Sequence, residues 1–299
     1  MCGIVGLQLR DRSLEPRLGA LLAGMLDQVC ERGPDSAGFG LYGDDRFAEP
    51  GDARVGVLLP AGLTSNDAER AVAQRLDRPV AAAGPAGVTV FSAAVDPDRL
   101  LTAVRDALPG AVVTGYGTDL TVLKGTGHPN DLAARFELAQ AGGWQAVAHT
   151  RMATESAVTS AHCHPFSVGP DQCLVHNGSF ANHASIRRRL QADGVVFYSD
   201  NDSEVGARFV AAALAEGDDL DKALRRLCET FDGFYTLLVT TADSFAVVRD
   251  AIACKPALVA QTDRWVAMAS EYRAFAGLPG LEESSVFEPM PEQLYVWQL

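Results

Sequence analysis

The sequence lacks long apolar runs and has little positive charge, and both shortages exclude whole classes of protein. No stretch approaches the roughly eighteen consecutive apolar residues of a membrane-spanning helix, and the N-terminus shows no signal-peptide pattern. Lys and Arg number 25 against 38 Asp and Glu, which gives a net charge of −13. This acidic balance argues against nucleic-acid and anionic-membrane partners. The composition, 47% hydrophobic and 21% charged over 299 residues, predicts a globular protein with a large core.

Cysteine is also sparse, and its six positions do not have the spacing of a disulfide framework. This usage suits the reducing cytoplasm, where we expect the protein to act. One stretch invites a zinc interpretation, because fifteen residues hold His162, Cys163, His164, Cys173 and His176. Structural zinc sites usually show closely spaced ligand pairs, and no Cys-x-x-Cys pair is present here. We therefore expect neither a metal nor a cofactor.

Hydrophobic patterning predicts eight strands distributed over most of the chain. They cover residues 2–9, 39–42, 145–149, 173–176, 234–240, 245–249, 258–261 and 265–269. The pattern does not show how these strands pair.

The segment 54–125 has a different character, because short strands alternate with helices and few residues of catalytic type occur. Strands are predicted at 55–59, 88–92, 111–114 and 120–124, and helices at 66–76 and 96–108. Asn66 or Asp67 would cap the first helix, and Asp96 stands at the start of the second. The segment is either a compact α/β insertion, structural or used for docking, or two linked pieces of the main sheets.

Cys2 follows the initiator methionine and is the first candidate for chemistry. Removal of Met1 would leave a thiol and a free α-amino group on one residue, which together form a nucleophile and its base. The ordinary alternative is a small buried residue at the start of the first strand.

Further along the chain, a set of polar residues fits a pocket that cleaves the side-chain amide of an amino acid. Asn177 and Gly178 offer an amide group and an unobstructed backbone N–H for an oxyanion. Arg151 offers a guanidinium for a carboxylate, and Asp202 or Asp200 a carboxylate for an ammonium group. Each also has an ordinary explanation: Asn-Gly is a common turn, either aspartate can cap a helix, and Arg151 can be a surface charge.

Five motifs in order resemble the class II glutamine amidotransferases, which belong to the N-terminal-nucleophile hydrolases. They are Met-Cys-Gly-Ile-Val-Gly at 1–6, Arg-Gly-Pro-Asp-Ser-Ala-Gly at 32–38, His-Thr-Arg-Met-Ala-Thr at 149–154, His-Asn-Gly-Ser-Phe-Ala-Asn at 176–182 and Asp-Ser-Glu at 202–204. The resemblance extends to Ala269-Ser270-Glu271 and covers most of the chain, so that residues 2–299 would form one amidotransferase domain.

The resemblance implies an α+β fold, a four-layer αββα sandwich of two mainly antiparallel sheets, with the α/β insertion at about 54–125. Cys2 would be the nucleophile, and Asn177 with Gly178 would form the oxyanion hole. Arg151 would bind the α-carboxylate of glutamine and Asp202 its α-amino group. Arg32 would lie near the nucleophile as a further substrate-binding residue.

The sequence departs from the family's pattern in two places. Met152 stands where an aromatic residue is common, and Ser179-Phe180 replaces a frequent acidic or aliphatic pair. These departures bear on the shape of the side pocket rather than on the chemistry.

By the same resemblance, the chain would hydrolyse glutamine to glutamate and ammonia and pass the ammonia to an acceptor site on a separate subunit. No synthase motif is found before Leu299. The stand-alone form resembles the amidotransferase subunit of glutamate synthase and of N-methylglutamate synthase, whose partner subunits include a flavin-binding one. Two alternatives are a catalytically silent subunit that senses glutamine, and an N-terminal-nucleophile hydrolase acting on other amides.

Overall fold

A computed structural model describes residues 2–152 and 159–299 of the chain. The strands are β1 Gly3–Leu9, β2 Ser36–Tyr42, β3 Ala53–Leu58, β4 Ala81–Ala83, β5 Thr89–Ala93, β6 Val112–Gly117, β7 Leu120–Thr126, β8 Gln145–Arg151, β9 Cys173–Phe180, β10 Gly233–Thr240, β11 Ser244–Arg249, β12 Leu258–Gln261, β13 Trp265–Ala269, β14 Ser285–Phe287 and β15 Tyr295–Gln298. The α-helices are α1 Leu18–Asp27, α2 Ser65–Leu76, α3 Pro97–Ala107, α4 Pro129–Arg135, α5 His183–Ala192, α6 Asp202–Ala215 and α7 Leu220–Thr230. Within the described ranges, no helix has both the length and the apolar character needed to cross a bilayer.

The strands form two main antiparallel sheets and one smaller sheet. The larger has the order β14-β12-β13-β1-β8-β2-β7, and the second has the order β15-β11-β10-β9. All eight strands predicted outside the segment 54–125 are present, and most of them are longer than predicted. Central strand β1 pairs with β13 on one side and β8 on the other, so the start of the chain lies in the middle of the larger sheet.

Alternation of side chains along each strand builds the layers. From β1, Val5 and Leu7 face a core shared with α1, whereas Ile4 faces a core between the two sheets. From β9, Val175 enters that same central core, while Leu174 packs with α5, α6 and α7. The order helix, sheet, sheet, helix confirms the predicted four-layer αββα sandwich.

A smaller α/β unit has its own core, built by α2, α3 and the sheet β4-β5-β3-β6. In the chain it lies between β2 and β7, which pair with each other in the larger sheet. The predicted segment 54–125 therefore ends too late, because its last strand belongs to the main sheet. A short alternating pattern does not show which sheet a strand joins, so the sequence left this open.

The helix caps of this unit show one correct and one wrong prediction. Asp96 caps α3, as its carboxylate accepts hydrogen bonds from the N–H groups of Asp98 and Arg99. The cap of α2 is Thr64, whose hydroxyl accepts the N–H of Asp67, and not Asn66 or Asp67 itself.

Candidate active site

Cys2 lies at the entrance to β1, one residue before the first strand pair. The β1–β8 ladder ends at this edge with the Gly3–Thr150 pair, so Cys2 and Arg151 are the chain neighbours of its two members. Its thiol is free and the residue is partly exposed. The position combines access from solvent with a rigid support, as a reacting side chain requires.

Two predicted site residues contact the backbone of Cys2 directly. The Nε of Arg32 donates to the Cys2 carbonyl at 3.1 Å, and the Nδ2 of Asn177 donates to the same oxygen at 3.3 Å. Arg32 comes from the turn after α1 and Asn177 from the second sheet. The structure thus brings three distant parts of the chain together at Cys2.

The next two residues are held by hydroxyl groups to which the sequence reasoning gave no role. The N–H of Gly3 donates to the Oγ1 of Thr150 at 3.1 Å, and the N–H of Ile4 donates to the Oγ of Ser270 at 2.9 Å. Both hydroxyl residues belong to motifs that carry the family resemblance, which is the signal that could have found them.

Arg151 is the last residue of β8 and is buried, with 6% of its surface exposed. Its carbonyl accepts the N–H of Asp35 at 3.1 Å, so the Arg-Gly-Pro-Asp turn packs against its backbone. A Cβ added to Gly33 would come within 2.5 Å of the Arg151 backbone. Glycine in this turn is therefore required for the close approach of the two backbone segments.

Asn177 and Gly178 lie within β9, whereas the predicted strand ended at residue 176, just before them. Asn177 is buried at 3% exposure. Gly178 has φ +144°, and an added Cβ would come within 2.0 Å of the Phe234 carbonyl. Only glycine fits this position, where the backbone of β9 bends close to β10.

Of the two candidate aspartates, Asp202 is the one that the fold places beside β9. Its Oδ2 accepts the N–H of Phe180 at 2.8 Å, two residues beyond Gly178. Asp200 is 86% exposed and accepts a hydrogen bond from His162 at 2.8 Å. Neither aspartate is the cap of α6, because Asn201 accepts the N–H of Ser203.

Phe180 and Met152, at the two departures from the family pattern, also have defined surroundings. The Phe180 ring is buried and stacks on His176, with 4.4 Å between ring centroids. Met152 is 42% exposed, next to Arg151. Residues 153 and 154, the end of the third motif, lie outside the described residues.

Within the described part of the chain, the histidines considered for zinc do not belong to any group of three ligands whose donor atoms lie within 4.8 Å of one another. His164 and His176 join His149 in a buried group, in which the His149 and His164 rings stack with centroids 4.0 Å apart. Burial lowers the pKa of all three, that of His149 to about 3. These imidazoles are therefore neutral and form part of the interior behind the site.

A family model described as a glutamine amidotransferase domain matches residues 149–277. The glutamine amidotransferase-like protein GlxB of Rhizobium meliloti (strain 1021) is 45% identical, in an alignment that covers 99% of this chain and 98% of that protein. The chain belongs to the glutamine amidotransferase family.

Two solved structures share the fold at low identity. The phosphoribosylpyrophosphate amidotransferase of B. subtilis superposes with a TM-score of 0.61 at 17% identity, and an allosteric regulatory enzyme of purine biosynthesis with a TM-score of 0.65 at 16%. Each match covers 99% of this chain but 47% of the solved chain, so this amidotransferase chain spans about half their length.

The matched family segment contains Arg151, Asn177, Gly178 and Asp202 but neither Cys2 nor Arg32. The hydrogen bond from Asn177 to the Cys2 carbonyl connects the N-terminal residues to that segment.

Proposed function

We propose that the chain hydrolyses the side-chain amide of glutamine through a thioester on Cys2. The observation that carries this proposal is the convergence on Cys2: Arg32 and Asn177 both bind its carbonyl, and Arg151 ends the neighbouring strand. An N-terminal residue is covalently held on one side only, so these contacts give it a defined orientation.

The first step uses both groups of Cys2 after removal of Met1. The α-amino group takes the thiol proton, and the sulfur attacks the amide carbon of glutamine to form a tetrahedral oxyanion. Collapse of this intermediate breaks the C–N bond, and the same proton passes to the leaving nitrogen as ammonia departs. Water then attacks the glutamyl thioester, which releases glutamate and restores the thiol.

Asn177 and Gly178 would stabilise the oxyanion. The amide nitrogen of Asn177 carries two hydrogens, and the Cys2 carbonyl uses one of them. The second remains for the oxyanion, together with the N–H of Gly178. A single donor of this kind contributes about 3 kcal/mol to transition-state stabilisation, or roughly 10² in rate.

Charged groups on two sides would select a free amino acid. Arg151 would bind the α-carboxylate of glutamine, and Asp202 the α-ammonium group, since its Oδ2 is already fixed by Phe180. The Nη2 of Arg32 is buried and has no hydrogen-bond partner among the described residues, so it can donate to a bound ligand. A blocked amide or a peptide would leave one of the two anchors unpaired.

We further propose that the ammonia passes to a separate subunit, as in glutamate-synthase-like or N-methylglutamate-synthase-like systems, in the reducing cytoplasm. The six free thiols agree with that compartment. Affinity purification of the chain from its native cells tests the acceptor, with a flavin-containing synthase subunit as the expected partner. Recovery of the chain alone under mild conditions would contradict this part of the proposal.

Cys2→Ala tests the chemistry. We expect loss of glutamine hydrolysis with unchanged folding, whereas the control Cys254→Ala, which removes an exposed thiol, should retain full activity. Glutamate release and intact mass are the measurements, and the active protein should lack Met1. Undiminished activity in Cys2→Ala would exclude the proposed nucleophile. An inactive wild-type protein that still binds glutamine would instead favour the silent sensing subunit.

A further inference from the structure

We propose that Glu271 is a positioning residue, which holds Arg32 on the carbonyl of Cys2 and thereby orients the nucleophile. The inference deepens the proposed function and rests on the role of Cys2 stated there.

Glu271 follows β13 and directs its carboxylate to two arginines. Its Oε1 accepts a hydrogen bond from the Nη1 of Arg32 at 3.0 Å, and its Oε2 forms an ion pair with the Nε of Arg273 at 2.7 Å. Glu271 precedes a short helical turn at Tyr272–Phe275, but its side chain makes no capping hydrogen bond there. The carboxylate therefore serves the arginines and not the local backbone.

Arg32 is fixed at two of its three nitrogens. Its Nε is on the Cys2 carbonyl, and its Nη1 is on Glu271. A guanidinium is planar and rigid, so two fixed donors set the orientation of the whole group. Without Glu271, the guanidinium can rotate about its hydrogen bond to the Cys2 carbonyl, and Cys2 loses its fixed orientation.

The neighbouring residue supports the same arrangement. Ser270 accepts the N–H of Ile4 through its hydroxyl and donates its own N–H to the Ile4 carbonyl at 2.9 Å. Ser270 and Glu271 thus hold successive parts of one segment, Ser270 directly and Glu271 through Arg32. A displacement of the reacting group by about 1 Å is enough to cost roughly 10²-fold in rate.

A purely structural ion pair would behave differently. The side chains of Glu271 and Arg32 are 26% and 13% exposed, so the pair is mostly buried, and loss of one partner of a buried pair lowers stability. A purely structural role therefore predicts a loss of stability with an unchanged kcat. A positioning role predicts a loss of kcat with an unchanged KM for glutamine, because Glu271 does not bind the substrate.

The test is Glu271→Gln, which keeps the shape and removes the charge. We expect kcat for glutamine hydrolysis to fall about tenfold, with KM within twofold of wild type and Tm within about 3 °C. The control is Glu31→Gln, the same substitution at an exposed position next to Arg32, which should retain wild-type kcat. Wild-type kcat in Glu271→Gln, or an equal loss in Glu31→Gln, overturns the proposal.

A double-mutant cycle shows whether Glu271 acts through Arg32. In an Arg32→Lys background, one ammonium group cannot span both acceptors, so adding Glu271→Gln should cost less than twofold further in kcat. A further tenfold loss of kcat would contradict the proposal that Glu271 acts through Arg32. Cys2→Ala separates a failure of the proposed function from a failure of the role given to Glu271. If Cys2→Ala retains activity, the proposed function fails. If it is inactive while Glu271→Gln is normal, only the role of Glu271 fails.

Discussion

Acidification should destabilise the protein through the three histidines buried behind the site. His149, His164 and His176 are 1%, 5% and 2% exposed. Burial is the main cause of their lowered pKa, and for His164 the neighbouring His149 and His176 add to it, followed by the charges of Arg151 and Lys124. Neither ring nitrogen of His164 has a hydrogen-bond partner among the described residues, so protonation would bury an unpaired charge there.

The sign of the effect follows from proton binding. In the unfolded chain a histidine binds a proton below about pH 6.5, whereas folded His149 stays neutral down to about pH 3. The unfolded state therefore binds more protons in this range, and stability falls as the pH falls. Between pH 7 and pH 5, His149 alone accounts for about 2 kcal/mol, and the other two histidines act in the same direction. For a typical stability of about 5–15 kcal/mol, this loss is large.

Urea unfolding at pH 7, 6 and 5 measures the loss, with the buried Trp265 as a fluorescent probe. His164→Phe removes one titrating group, breaks no hydrogen bond among the described residues and keeps a ring against His149. The slope of its unfolding free energy against pH should be smaller than that of wild type, by up to about 1.4 kcal/mol per pH unit. Phe166→Leu alters the packing beside His164 but keeps all three histidines, so its pH dependence should equal that of wild type. Equal pH dependence in wild type and His164→Phe would refute the reasoning.

Two further predictions concern the site itself. Arg151→Ala should raise the KM for glutamine by about 10- to 100-fold, because a charge-assisted contact worth about 1.5–3 kcal/mol is lost; steady-state kinetics with an unchanged KM would exclude the carboxylate role. Gly178→Ala should destabilise the protein by more than 2 kcal/mol, because its Cβ would overlap the Phe234 carbonyl at a positive φ; a Tm within 1–2 °C of wild type would show that the backbone relaxes there at little cost.

Local sequence patterns predicted helices and strands well where each pattern had a single interpretation. The alternation of large apolar residues located all eight strands predicted outside the segment 54–125, and Asp96-Pro97 located the start of α3. Where two interpretations fitted equally, the sequence did not choose between them. The strand Leu120–Thr126 joins β2 and not the smaller sheet, which depends on contacts between distant segments. The three alanines of β4 carry no strand signal and were missed.

Sequence alone determined which residue types are available for the chemistry: a thiol at position 2, a guanidinium at 151, an Asn-Gly pair at 177 and a carboxylate at 202. Their order along the chain was enough to reveal the family resemblance, because motif order is independent of geometry. Only the tertiary structure decided that Asp202 and not Asp200 lies beside β9, and that Glu271 reaches Arg32 across 239 positions of sequence. Such choices depend on how two sheets stack and where their edges meet. No local pattern encodes that geometry, because it arises from the packing of the whole chain.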